Sequence, residues 1–161
     1  MRKILTFLMV FLLSASPLFA GAPVPGDKAP DFSLNSIQGK TWSLDSLKGK
    51  VVLVGMFHIC VPCMNQAMEF NKVRDRIKSD KLVILGINTN GDSKEAVLDY
   101  LKKFPEPVKF PYLLDPKMTV HKAYVQRDMP TVLIIDSKGV LEARSPSVGA
   151  DQLIPYLEKL L

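Results

Sequence analysis

Hydrophobic and polar positions along the chain follow two patterns. Short apolar runs rich in β-branched residues and free of charge predict strands that are buried on both faces. Such runs cover residues 51–57, 82–87 and 131–135. Longer stretches repeat apolar residues every three or four positions and predict amphipathic helices. The two clearest cover residues 60–78 and 93–103, the second with Ser93 as its N-cap.

Shorter elements complete this outline. Residues 31–34 and 40–42 predict a hairpin, residues 112–114 a short strand, and residues 131–144 a second hairpin. The chain closes with a predicted helix over 150–161, whose first turn must contain Pro155. Alternating strands and helices favour parallel pairing, and the second hairpin adds antiparallel strands. The sequence therefore predicts an α/β fold with a central mixed β-sheet flanked by helices and an N-terminal β-hairpin extension.

The N-terminus has the pattern of an export signal. Arg2 and Lys3 precede an apolar stretch over 4–13, and small residues follow. We expect residues 1–20 to be a signal peptide cleaved near Ala20 or Ala22, which leaves one domain over 21–161 in the periplasm or another extracytoplasmic space. The alternative is an uncleaved membrane anchor, although the apolar stretch is short for a full span.

Composition adds little that is distinctive. The 161 residues are 47% apolar and 23% charged, with a formal net charge of +5, which is ordinary for one globular domain. Lysines and arginines are scattered rather than clustered with aromatic residues, so we predict no binding to nucleic acid.

The two cysteines carry the clearest chemical signal. Cys60 and Cys63 follow a buried strand and open a helix, and a bridge between them closes too small a loop to stabilise the fold much. A helix N-terminus stabilises a thiolate and makes it nucleophilic. We expect Cys60 to be the exposed attacking sulfur and Cys63 the buried resolving one, with Pro62 in the first turn. A metal half-site and an inert bridge are the alternatives.

Several segments resemble the exported thiol reductases of the TlpA, ResA and CcmG type, which have a thioredoxin-like fold. The resemblance spans roughly residues 24–161, and the segments that carry it lie at 25–34, 47–54, 60–63, 110–115 and 130–136. It implies that Pro130 is a cis-proline that faces the cysteines and belongs with Cys60 and Cys63 to the catalytic residues, and that Met129 presents its backbone to the substrate. Read alone, a proline at a strand entrance is more often trans.

The resemblance also implies a function. We expect the dithiol form of Cys60 and Cys63 to reduce disulfides of exported proteins such as apocytochrome c and to become a redox-active disulfide, without another cofactor or a metal. Val61, Pro62 and Met129 are the expected substrate contacts, a membrane thiol protein the expected electron donor, and a monomer the expected state.

Two acids common in this family are missing. Gln66 stands where many of the reductases have a glutamate, and Val54 where thioredoxins have a buried aspartate. Glu69 lies on the opposite helix face from Cys60 and is no obvious replacement. His58 and Gln66 are therefore candidates for tuning the cysteines, although His58 is more simply explained as an exposed loop residue.

Three other functions remain open at this point. A disulfide oxidant has the same residues. A peroxiredoxin-like peroxidase requires a peroxidatic cysteine without a partner three residues on, which the spacing here argues against. A copper-binding chaperone requires soft ligands, which suit Cu(I). The candidates for such a cluster are Met56, His58, Cys60, Cys63, Met64 and Met129.

Overall fold

A computed structural model describes residues 21–161 of the protein. The predicted signal peptide, residues 1–20, lies outside the described residues. The strands are β1 (Ser33–Ser36), β2 (Thr41–Ser43), β3 (Val51–Phe57), β4 (Leu82–Asn88), β5 (Tyr112–Leu114), β6 (Thr131–Ile135) and β7 (Leu141–Ser145). The helices are α1 (Val61–Arg76), α2 (Lys94–Leu101), α3 (Thr119–Ala123) and α4 (Ala150–Glu158), with a 3₁₀ turn at Asp45–Leu47.

All seven strands of the described chain form one mixed sheet in the order β2-β1-β5-β4-β3-β6-β7. The pairs β3–β4 and β4–β5 are parallel, whereas β3–β6, β6–β7, β1–β2 and β1–β5 are antiparallel. The N-terminal hairpin therefore extends the sheet beyond β5. The predicted mixed sheet with its N-terminal hairpin is confirmed. All seven residues of β3 are buried, because β3 lies inside the sheet between β4 and β6.

Alternation along the strands divides the core between the two faces of the sheet. Val51, Leu53 and Phe57 of β3 pack with residues of α1, α2 and α4 on one face. Val52, Val54 and Met56 pack on the other face with residues of α3 and the 3₁₀ turn. Because successive side chains of a strand point to opposite faces, this division follows from the period of two.

Two glycines make room for aromatic rings on the α1 face. Gly55 and Gly86 are register partners in β3 and β4, and Gly86 is paired with Tyr112 of β5. A Cβ atom at Gly55 would lie 2.1 Å from the Phe57 ring, and one at Gly86 would lie 2.9 Å from Phe110. The absence of these two side chains therefore leaves space for the rings of Phe57, Phe110 and Tyr112.

The position of Pro155 differs from the prediction. Helix α4 begins at Ala150 after the N-cap Gly149, so Pro155 is its sixth residue and lies inside the helix instead of its first turn. Pro155 lies on the exposed side of α4. There the carbonyl of Asp151, which loses its helical partner, can be hydrated by solvent. The buried side of α4 is formed by Ala150, Leu153 and Leu157, while Ile154 is only half-buried.

None of the helices between residues 21 and 161 combines the length and the apolar character that crossing a membrane requires.

Candidate active site

The junction between β3 and α1 places both cysteines at one end of the sheet. Strand β3 ends at Phe57, and α1 begins at Val61 with Cys60 as its extended N-cap residue, at φ −155° and ψ 158°. Pro62 lies in the first turn, where its missing N–H leaves no helical bond unmade. Cys60 is therefore the last residue before the helix, and Cys63 is one turn into it.

Backbone N–H groups converge on the two sulfur atoms. The Cys63 N–H donates to Cys60 Sγ at 3.3 Å, and the His58 N–H donates to Cys63 Sγ, also at 3.3 Å. Both cysteines are free thiols, and their sulfurs lie 2.6 Å apart. Cys60 is half-buried, whereas only 1% of Cys63 is exposed. This difference in exposure agrees with the prediction that Cys60 is the accessible sulfur.

The environment of Cys63 disfavours its anion. Burial, and then its hydrogen bond with Cys60, raise the pKa of Cys63 to about 12, although the His58 backbone N–H acts in the opposite direction. Cys63 therefore remains a thiol at neutral pH. To attack a mixed disulfide it needs a group that stabilises its negative charge.

The segment that contains Pro130 lies beside the cysteines. The Met129–Pro130 peptide bond is cis, which agrees with the resemblance noted above. Thr131 is the register partner of Met56 in the antiparallel pair β3–β6. Continuing this register by two residues brings Met129 level with His58, two residues before Cys60. The first turn of α1 and the Met129–Pro130 segment therefore lie at the same end of the sheet.

Polar side chains fix the loop before Pro130. The buried Gln126 accepts a hydrogen bond from the Thr89 hydroxyl at 2.6 Å and donates to the carbonyls of Met56 and Asp128, both at 3.1 Å. Arg144 of β7 donates to the Tyr124 and Val125 carbonyls at 2.5 and 3.0 Å. Nothing in the local sequence pattern identifies Gln126 or Arg144, because their partners are distant along the chain.

The surface around Cys60 is apolar. Val61 is 63% exposed, Met129 53% and Ile59 41%, and they are three of the five large hydrophobic residues that are most exposed in the described chain. Large apolar side chains grouped at a site of this kind favour contact with another protein. Val61 and Met129 were predicted from the sequence as substrate contacts, and Ile59 was not.

Tyr100 of α2 is a further neighbour of Cys60 that the sequence does not identify. Its hydroxyl donates to the Cys60 carbonyl at 2.6 Å, and the same carbonyl accepts the Met64 N–H at 3.1 Å. Burial raises the pKa of Tyr100 further above neutrality, so the hydroxyl remains a donor. From the helical pattern Tyr100 is only one residue of an apolar face.

We expect Tyr100→Phe to lower the free energy of unfolding by about 1 kcal/mol, because one hydrogen bond between α2 and the start of α1 is lost. Urea denaturation of the reduced protein measures this change. Tyr156→Phe is the matched control, since Tyr156 is exposed on α4. Equal stability of the wild type and Tyr100→Phe would show that this bond does not hold Cys60 in place.

Gln66, which stands where many relatives of this type have a glutamate, has a structural role. Gln66 is 2% exposed, and its amide donates to the Val148 carbonyl at 2.8 Å while accepting the Val148 N–H at 2.7 Å. Glu69, on the same helix, accepts the Ala150 N–H at 2.8 Å and pairs with Lys72. Val54 packs on the sheet face opposite to Cys63. Gln66 and Glu69 therefore attach the segment before α4 to α1.

His58 is less exposed than the loop residue that the sequence suggested. It is half-buried, and its Nε2 has no hydrogen-bond partner within the described chain. Its ring centroid lies 6.1 Å from that of His121. Burial and the charge of His121 lower the pKa of His58, whereas Asp92 raises it. The contact between His58 and Cys63 is made by the backbone, and a tuning role for its side chain stays a prediction.

One of the soft ligands considered for copper, Met56, lies apart from the cysteines. Met56 packs on the α3 face of the sheet, whereas Cys60, Cys63 and Met64 lie on the α1 face. Within residues 21–161, no three or more histidine, cysteine, aspartate or glutamate side chains are grouped to hold a metal ion.

Known proteins support this description of the fold and the type of activity. Residues 25–144 match the AhpC/TSA family. The chain is 32% identical over 121 residues to the thioredoxin-like protein YneN of Bacillus subtilis, which covers 73% of this chain and 68% of that one. It is 28% identical over 137 residues to the thiol-disulfide oxidoreductase ResA of Bacillus cereus, with 84% and 78% covered.

A solved structure extends the comparison to three dimensions. The crystal structure of StoA from Bacillus subtilis superposes with a TM-score of 0.69 at 26% identity, covering 83% of this chain and 99% of that one. The sheet order, the cysteine pair at the N-terminus of α1 and these relatives agree with one another. The chain belongs to the AhpC/TSA family and is a thiol–disulfide oxidoreductase with a thioredoxin-like fold.

Proposed function

We propose that this oxidoreductase works in the reducing direction, on disulfides of exported proteins. The observation that carries the proposal is the pairing of an accessible sulfur with a buried one. Cys60 Sγ accepts a hydrogen bond from an N–H group at the helix N-terminus and lies in an apolar surface. Cys63 is buried next to it and remains a thiol. A nucleophile that meets the client first and a second thiol that acts later are what two-step disulfide reduction requires.

The reaction has two exchange steps. The Cys60 thiolate attacks one sulfur of the client disulfide, which forms a mixed disulfide and releases the other client sulfur as a thiolate. Cys63 then attacks Cys60, the Cys60–client bond breaks, and the Cys60–Cys63 disulfide forms. The proton that Cys63 loses balances the one that the departing client sulfur takes up. The client gains two electrons and two protons, and the protein loses them.

Client binding is assigned to the apolar surface around the cysteines. Val61 and Met129 are both more than half exposed, and Pro62 directs the chain between the cysteines into α1. The loop that ends in the cis Met129–Pro130 bond offers its backbone to an extended client segment. We therefore place Val61, Pro62 and Met129 in the client site, and Pro130 with Cys60 and Cys63 in the catalytic site.

The cellular setting follows from the N-terminal sequence. A signal peptide over residues 1–20 exports the domain formed by residues 21–161, and cleavage near Ala20 or Ala22 releases it. Its clients are then exported proteins with paired thiols, of which apocytochrome c is one class. After each reaction the oxidised protein must receive two electrons before it can act again. A membrane thiol protein supplies them.

The midpoint potential of the Cys60–Cys63 pair tests the direction. We expect a value below about −220 mV, toward the potential of thioredoxin. Equilibration of the purified protein with thiol–disulfide buffers, followed by alkylation of the free thiols, measures it. A value near about −120 mV would make the pair an oxidant and would reverse the assignment of clients, while the exchange chemistry would stand.

A further inference from the structure

An apolar pocket lies between helix α4 and the edge of the sheet, where the protein's own side chains leave space. Its volume is about 160 Å³. Six of its eight lining residues are apolar, namely Val132, Ile134, Ala143, Val148, Leu153 and Tyr156. The other two are Ser145 and Gln152, so all eight are uncharged. An apolar cavity of about 150 Å³ binds benzene, and this pocket therefore has room for one large apolar side chain.

Small residues on the outermost strand keep the pocket open. Its floor consists of two register pairs of β6 and β7, Val132 with Ser145 and Ile134 with Ala143. These side chains share one face of the sheet because alternate residues of a strand point the same way. β7 is the last strand of the described sheet, and its two residues here are a serine and an alanine. A larger residue at position 143 would fill the space.

The pocket adjoins the helix that carries the cysteines. Gln66 lies one turn after Cys63 in α1, and its amide donates to the Val148 carbonyl at 2.8 Å and accepts the Val148 N–H at 2.7 Å. One helical turn and a glutamine side chain together span about 10 Å, the length of about three residues of an extended chain. Val148 also lines a second cavity, which Pro62 lines as well. The two cavities therefore connect the loop between the cysteines with the apolar pocket.

The distribution of exposed apolar residues agrees with this connection. Five large hydrophobic residues are the most exposed in the described chain; Ile59, Val61 and Met129 belong to the apolar surface around Cys60, and Tyr156 lines the pocket. Exposed apolar groups of this kind favour contact with another protein. An apolar side chain of a bound client gains most in such a pocket, because its burial removes apolar area of both partners from water.

We propose that this pocket is a specificity subsite that takes a large apolar side chain of the client, about three residues from the cysteine that Cys60 attacks. The subsite rests on the client reduction proposed above and adds a substrate class to it. Preferred clients have phenylalanine, leucine or another large apolar residue at that distance from the disulfide. A charged residue is excluded there, because the lining residues are uncharged and would leave it unpaired.

A peptide series tests the subsite. Each peptide has one cysteine, joined by a disulfide to a small thiol that is coloured when released, and phenylalanine at successive positions on either side in an alanine and serine background. With the reduced full-length protein, a phenylalanine about three residues from the cysteine should raise the second-order rate constant about tenfold over alanine. Glutamate at the same position should give no gain. Equal rate constants at every position would contradict the proposal.

Ala143→Leu fills the pocket from its floor. In this variant the phenylalanine peptide should react no faster than the alanine peptide. Ala123→Leu is the matched control, since Ala123 is exposed at the end of α3, which packs on the other face of the sheet. The control should keep the tenfold preference. A preference that survives in Ala143→Leu, or that both variants lose equally, would overturn the subsite.

A stability measurement covers the folding of the variant. Because leucine fills a cavity, we expect the thermal midpoint of Ala143→Leu to equal or exceed that of the wild type. If the midpoint falls, Tyr156→Ala decides, since it removes an exposed wall of the pocket instead of filling the floor. It should also reduce the preference for phenylalanine, and an unchanged preference would contradict the proposal.

A trapped adduct separates this subsite from the proposed function. Cys63→Ser should hold the phenylalanine peptide as a mixed disulfide on Cys60, and NMR should show contacts between the peptide ring and the Ala143 methyl group. An adduct without these contacts would overturn the subsite alone, whereas the absence of any adduct would overturn the proposed reduction as well. A wild-type dimer that Ala143→Leu dissociates would assign the pocket to a second copy of the chain and contradict the proposal.

Discussion

Cys60→Ser should reduce disulfide exchange by at least about a thousandfold, the scale on which loss of a nucleophile acts. The serine hydroxyl keeps the N-cap position at the start of α1 but is not a nucleophile at neutral pH. Cys63 cannot replace Cys60, because it is 1% exposed and remains a thiol. Turnover of a disulfide-bonded client peptide measures the loss.

Cys63→Ser separates the two steps. It should retain the first attack and accumulate a mixed disulfide between Cys60 and the client, because the buried thiol that resolves it is gone. Mass spectrometry of the intact protein under non-reducing conditions detects the adduct. An adduct on Cys63 in Cys60→Ser, together with none in Cys63→Ser, would mean that the roles of the two sulfurs are exchanged.

Gln66→Glu, which restores the acid found in many relatives of this type, should destabilise the protein by about 3 kcal/mol at neutral pH. The Gln66 amide donates to the Val148 carbonyl and accepts the Val148 N–H. A carboxylate keeps the accepted bond but places a second oxygen against the carbonyl, in a position that is 2% exposed. Urea denaturation at neutral pH measures the loss.

The loss should depend on pH. Burial raises the pKa of a carboxyl in the folded protein above its unfolded value of about 4.3. The penalty is therefore absent below about pH 4 and grows as the pH rises through the unfolded pKa, until the folded group also ionises. The matched control is Gln152→Glu on the exposed side of α4, which should change stability little. A Gln66→Glu protein as stable as the wild type at neutral pH would show that Val148 does not require the amide.

The strands of this protein are easier to predict than its site. The runs at 51–57, 112–114 and 131–135 coincide with β3, β5 and β6, because charge-free β-branched runs bounded by turn residues have few alternatives. Helix ends are harder to predict. Both α1 and α2 end two residues before the ends of the predicted ranges 60–78 and 93–103. The prediction for Pro155 was wrong because it considered only the backbone hydrogen bond that a proline removes from the middle of a helix. At an exposed position, water can bind the carbonyl that loses this bond, so the proline is tolerated there.

Within the site, the local part was predictable and the distant part was not. Cys60, Pro62 and Cys63 are neighbours in sequence, so their spacing and position after β3 could be interpreted directly. Tyr100 contacts Cys60 across 40 residues, and Gln126 contacts Met56 across 70. In the sequence, Tyr100 is only one residue of an apolar helix face. Its contact with Cys60 depends on how the fold places α2 beside the start of α1.

The network around Gln126 has a thermodynamic consequence for client binding. Thr89, Arg144 and Gln126 fix the loop before Pro130 in the folded protein. The conformational entropy of that loop is therefore lost on folding and is not lost again when a client binds. A client segment needs to order only itself, so a short, flexible and unfolded stretch around a disulfide can bind.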